Sequence, residues 1–172
     1  MSQNFDQGSC NSCWEASALS SLRFCMRTSG NVNIRFSVEQ LVSCSIGKCG
    51  IGIDYNTDLS TMLKSDGVPT ETCRPYKSVS GSAKSSKEFD QCKDGNKKVM
   101  YHASSVTRIT PYVLWSETEL AIKTELSNNG PVWAEMQLGD DDWAAFINYK
   151  SGSVFSCSCT IYCGYHHNIK II

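Results

Sequence analysis

The stretch "DQGSCNSCWEAS", residues 6–17, sets Cys10 and Cys13 three residues apart, with Trp14 directly after the second. A Cys-x-x-Cys pair supports three chemistries: a redox dithiol, half of a zinc site, or one structural cysteine beside one reactive cysteine. Zinc needs a second ligand pair at similar spacing, and "CSCTIYC" with the His166-His167 pair follows the order of no common finger. A thioredoxin-like dithiol follows a strand in a βαβ unit, whereas "MSQNFDQGS" is polar and irregular. The third reading stands. A cysteine in the first turn of a long buried helix lies at the positive end of the macrodipole, among unpaired backbone N–H groups, and this favours thiolate. Cys13 occupies that position. Gln7, six residues earlier, can offer its side-chain amide beside the Cys13 backbone N–H, a pair of donors for a developing oxyanion.

These groups need elements to hold them. Ser12 is placed to cap a helix starting at Cys13, in which Trp14, Ala18, Leu19, Leu22, Cys25 and Met26 recur near helical spacing before "TSGN" stops it. "SVEQLVSC" carries Ser37 as an N-cap with Gln40 three residues later, the capping-box pattern of a short helix. A third helix fits "NTDLSTMLKSDG", with Leu59, Met62 and Leu63 on one face and Gly67 at its end. Residues 73–98 read as a long surface loop, stapled between its cysteines. "SETELAIKTELSNNGP" is a further helix, boxed by Ser116 and Glu119 and stopped at Asn129-Gly130-Pro131. Beyond it "VWAEMQL", "GSVFSCS" and "HNIKII" read as strands. A helix-rich first half and a strand-rich second half predict an α+β chain of two lobes, residues 1–98 and 99–172.

Composition narrows the function classes. The 172 residues are 41% hydrophobic and 19% charged, which supplies a real core. A net charge of -1, with lysines scattered apart from Lys93, Lys97 and Lys98, offers no surface for nucleic acid or anionic membrane. No apolar run approaches the roughly 20 residues that span a bilayer, and the N-terminus has no basic-then-apolar signal. Ten cysteines nevertheless point to an oxidising compartment, so a secreted or vesicular location is expected, with the targeting segment outside the chain. The stop at Ile172 in mid-strand reads as truncation. No cofactor or metal is expected.

"DQGSCNSCW" resembles the active-site signature of papain-like cysteine peptidases, and "SVEQLVSC", "NNGPV", "YKSGSVF" and "HHNIKII" follow in that family's order. "ETCRPY" and "NGPV…YKSG" are most similar to the cathepsin B group. The resemblance implies a two-lobe papain-like fold, with a helical lobe and an antiparallel barrel-like lobe. It implies an endopeptidase acting through a thioester, with Cys13 as nucleophile, Gln7 in the oxyanion pocket and His167 as general base, about 150 residues downstream. His166 is the rival, but the segment aligns without a gap only if His167 leads the strand. His102 has no partner pattern and reads as a surface or lobe-interface residue. Substrate-facing positions are Trp14 and the "CGIG" loop, where Gly52 is retained and Ile51 replaces a glycine. Polypeptides are the implied substrates, with a propeptide or protein inhibitor as further partner and a lysosome-like or secreted location.

The resemblance also pairs Cys10 with Cys49, while Cys92 has two candidate partners, Cys44 by the general family pattern and Cys73 by the cathepsin B loop. Several positions depart from the family. Its third catalytic residue, an asparagine after the histidine, falls beyond Ile172, and Asn168 cannot replace it because adjacent strand residues face opposite ways. Asn11 stands where glycine is usual, and residues 73–92 lack the paired histidines of the dipeptide-releasing loop. Glu15 replaces a small apolar residue in the first helical turn, where a carboxylate aids the helix but opposes a thiolate if it faces the cleft. These departures define the alternative, a papain-fold protein of weakened or lost activity with an assembly partner.

Overall fold

The computed structural model describes residues 5–29, 33–44, 58–77, 91–107, 109, 115–138, 148 and 165–171. Helix α1, Cys13–Thr28, begins where the signature predicts. Trp14, Ala18 and Leu19 are buried along it, and Leu22 and Met26 pack partly buried against the same cluster, the stripe expected at 3.6 residues per turn. Cys25, expected on that stripe, is exposed. Its neighbour Met26 takes the inward position instead. The helix closes where the Thr28 and Ser29 hydroxyls both donate to the Cys25 carbonyl at 3.0 Å, satisfying an acceptor the last turn leaves open.

The opposite end corrects one expectation. Ser12 makes no side-chain capping bond. Its φ of -104° and ψ of 23° depart from the extended geometry that aims an N-cap hydroxyl at the helix amides. The hydroxyl goes instead to the Tyr76 phenol, 2.7 Å away.

Helix α2, Val38–Cys44, is capped as expected, for Ser37 Oγ accepts the Gln40 N–H at 3.1 Å. The reciprocal half of the box is missing. The Gln40 side chain donates to Cys44 Sγ at 3.2 Å and accepts from the Arg74 guanidinium. Helix α3, Asp58–Thr61, runs into a π-helical turn, Met62–Asp66, that buries Leu59, Met62 and Leu63 together. Gly67 ends it at φ +73°, with its N–H on the Met62 carbonyl. A side chain there would also collide with the His102 ring, 2.7 Å from an ideal Cβ, so glycine is required twice over. His102 Nδ1 in turn donates to the Lys64 carbonyl at 3.0 Å.

The core gathers Trp14, Phe36, Leu41, Leu59, Met62 and Val68 from these segments. Leu41 and Val68 have no exposed surface, and each contributes roughly 2 kcal/mol by burial. Residues 68–77 form a strap over this core. It bridges Phe36 through Thr70 and Tyr101 through Val68, and the Ser37 hydroxyl donates to the Arg74 carbonyl at 2.6 Å.

The strap leads into a disulfide between Cys73 and Cys92. This decides the choice left open by the sequence: Cys44 lies beside Gln40 and Arg74 as a thiol. Closing a loop over a separation of 19 residues stabilises by about 3 kcal/mol in the chain-entropy picture. The Cys73→Ser, Cys92→Ser double variant is therefore expected to lose about that much in urea unfolding. A loss under about 1 kcal/mol would mean that the strap is held by its hydrogen bonds alone.

Helix α4, Trp115–Asn128, starts earlier than the expected box. Ser116 therefore lies inside the first turn, and Glu119 pairs with Lys123 at 2.6 Å, one turn on, rather than reaching back. Strands β1, Val132–Leu138, and β2, Tyr165–Ile171, pair antiparallel, with Met136 opposite His167 and Gln137 opposite His166. Among the described residues these are the two strands; the "GSVFSCS" expectation lies outside them. Helix α1 packs against both β1 and β2, so the element opening with Cys13 lies beside the one carrying His167.

Candidate active site

Residues 5–12 descend to Cys13 through a tight turn. Gly8 adopts φ +57°, a left-handed conformation that suits glycine, and its N–H donates to Asp6 Oδ1 at 2.9 Å. The Cys10 N–H closes the turn on the Gln7 carbonyl at 3.2 Å. Cys10 is buried and disulfide-bonded, in keeping with its expected role as the staple; the partner expected for it, Cys49, lies outside the described residues. Ser12 N–H then bonds the Cys10 carbonyl at 2.8 Å, and Ala16 N–H bonds the Ser12 carbonyl at 3.1 Å, which launches α1.

Cys13 is half-buried at the helix start, whereas Trp14 is 4% exposed and belongs to the core. The indole anchors the first turn and leaves its neighbour near the surface. Gln7 is half-buried, and its carbonyl receives the Tyr76 phenol at 2.8 Å. His167 is the third residue of β2, which starts at Tyr165 and so extends two residues before the histidine expected to lead it. Gly52 and Ile51 lie outside the described residues.

Glu15 is the unexpected member. It is 3% exposed, and its Oε2 meets no hydrogen-bond partner among the described residues. Burial pushes its carboxyl up to about 8, a hydrogen bond to its own backbone opposing. The group is therefore neutral at mildly acidic pH. That bears on the sequence-level concern: a neutral acid inside the protein does not oppose a thiolate as an exposed carboxylate would.

Sequence reasoning passed over Tyr76, noting "ETCRPY" only as a similarity. The phenol touches Gln7 and Ser12, both within the signature, and its ring packs tilted against Phe5 with centroids 4.9 Å apart. Burial raises its pKa; the Ser12 hydrogen bond opposes this, and Glu15, Glu39 and Asp6 add to it. It stays protonated and able to donate. Two carboxylates, the half-buried Glu71 and the buried Glu39, hold the backbone here: Tyr76 N–H donates to Glu71 Oε1 at 2.8 Å, and Lys77 N–H to Glu39 Oε2 at 3.1 Å. Burial also pushes the Glu71 carboxyl up, the bond from Tyr76 opposing. A buried carboxylate gains from such amide donors what it loses in water.

A thiol heading a helix whose first two turns are largely buried, an amide-bearing turn before it and a histidine strand beside it make the layout of a thiol hydrolase. The papain family of cysteine proteases matches residues 1–172, and the chain belongs to that family, which carries the papain-like α+β fold. Cathepsin S of Bos taurus is 27% identical over 158 residues, covering 90% of this chain and 43% of that protein. Cathepsin B-like CP2 of Giardia intestinalis is 29% identical over 149 residues, 86% of this chain and 46% of its own. Cathepsin B-like cysteine proteinase 3 of Caenorhabditis elegans is 27% identical over 187 residues, covering 97% and 48%. The chain spans about half the length of these curated relatives.

Proposed function

We propose that the protein is a cathepsin B-like cysteine endopeptidase acting on polypeptides in a lysosome-like or secreted setting. The observation that carries this reading is the half-buried Cys13 at the head of α1, preceded by the Gln7 turn and packed beside the strand of His167. In this reading Cys13 Sγ attacks the peptide carbonyl carbon, and the carbonyl electrons move onto oxygen, where the Gln7 amide and the Cys13 N–H receive them. Collapse of that intermediate expels the amine, protonated by the His167 imidazolium, and leaves a thioester. Water, deprotonated by His167, then cleaves the thioester and returns the thiol. The residues 1–98 and 99–172 serve as the two lobes, and the Ile51-Gly52 loop borders the substrate, whereas Trp14, expected to face substrate, is buried in the core beneath Cys13's turn. A propeptide or protein inhibitor would occupy the same groove.

The test is labelling of the full-length protein by an epoxide-type thiol inhibitor at mildly acidic pH. Stoichiometric modification of Cys13 is the expected result; modification confined to Cys25 or Cys44 overturns it and favours the alternative, a papain-fold protein with weakened catalysis and an assembly role. The observation favouring that alternative is Ile51, which replaces a glycine in the loop of residues 49–52 expected to face substrate.

A further inference from the structure

The oxyanion donors depend on two backbone points, the residue that bears the Gln7 side chain and the peptide that carries the Cys13 N–H. Both are tied to one atom. The Gln7 carbonyl can only accept, so the Tyr76 O–H donates to it at 2.8 Å. That uses the single phenolic proton, so the Ser12 O–H must be the donor across the 2.7 Å contact to the same oxygen. Ser12 directly precedes Cys13. The phenol is itself fixed from below by the Glu71 and Glu39 bonds to the strap and from the side by Phe5. A group held by these contacts transmits position, and oxyanion donors work only when their geometry is set before the charge develops.

We infer that Tyr76 is a positioning residue for the oxyanion pocket, clamping the Gln7 turn to the start of α1 through its hydroxyl. The inference rests on the peptidase reading. Tyr76 touches no reacting atom in this role; it sets the separation between the two donors.

The discriminating experiment compares two reactions of Cys13 in the full-length protein. Peptide hydrolysis builds an oxyanion, whereas alkylation by iodoacetamide displaces iodide at an sp3 carbon and builds none. Tyr76→Phe keeps the ring against Phe5 and removes only the hydroxyl. It is expected to lower kcat about tenfold, less than deletion of a donor outright, with KM within about twofold and the alkylation rate of Cys13 unchanged. A parallel fall in both reactions would assign Tyr76 a purely structural role and overturn the inference, as would an unchanged kcat. If Tyr76→Phe does not fold, Ser12→Ala removes one arm of the clamp alone, and a loss of about threefold in kcat at constant alkylation is expected; no loss there overturns it equally. A wild-type protein that alkylates but hydrolyses no peptide defeats the peptidase reading and this role with it, an outcome distinct from active wild type with indifferent variants.

Discussion

Cys13→Ala is expected to lower peptide hydrolysis by at least about 10^4-fold, the largest functional effect of any single substitution in the chain. Alanine removes the sulfur that forms the thioester, so the two-step route closes and only direct attack by water remains. Binding and the oxyanion donors would survive, and in hydrolases stripped of their nucleophile such remnants leave about 10^3 to 10^4 of acceleration over water. The fold should tolerate the change, because position 13 is half-buried and alanine is the best helix former. Turnover of a fluorogenic peptide panel measures the effect, with Cys25→Ala as the control. Cys25 lies twelve residues along the same helix and is exposed, so its removal should leave kcat within about twofold. Equal losses from both variants would remove Cys13 from its assigned role.

Much of this layout could be read before any coordinates, and the reason is locality. The start of α1, the Ser37 cap, the Gly67 stop and strand β1 each depend on residues within one or two turns of one another. All but one of the misreadings have the opposite cause. Ser12 was expected to cap its own helix, yet its partner is Tyr76, 64 residues on. The box at Ser116 and Glu119 failed because α4 extends back to Trp115, a local propensity set against a boundary that varies by a residue or two. Cys92 had two equally good partners in sequence, and only the path of the strap brings it to Cys73. Glu15 was ambiguous for a related reason: a first-turn residue can face solvent or core, and which it does depends on segments packed from elsewhere.

That buried glutamate should govern how stability depends on pH. Unfolded, a glutamate titrates near 4.3; in the folded protein burial holds Glu15 up to about 8. Between those values the folded state keeps the proton and the unfolded chain releases it. The unfolded state therefore binds fewer protons, and stability falls as pH rises. The contribution is complete below about pH 4.3, declines by at most about 1.4 kcal/mol per pH unit, and is gone above about pH 8, a span of up to roughly 5 kcal/mol. Against a typical total of about 5 to 15 kcal/mol this is a large fraction. Glu15→Gln abolishes the titration but places an amide N–H2 where Oε2 now meets no partner among the described residues, which costs about 1 to 3 kcal/mol. The two stability curves should cross: wild type more stable at pH 5, the variant more stable at pH 8.5. Urea unfolding at half-unit pH intervals measures both. A wild-type profile flat from pH 5 to 8.5, or a variant with the same slope, would show that the carboxyl ionises inside the fold at little cost. A crossing would mean that the first turn of the nucleophile helix is built for acid, since the residue least suited to a thiol's neighbourhood at neutral pH becomes an uncharged core side chain in an acidic compartment.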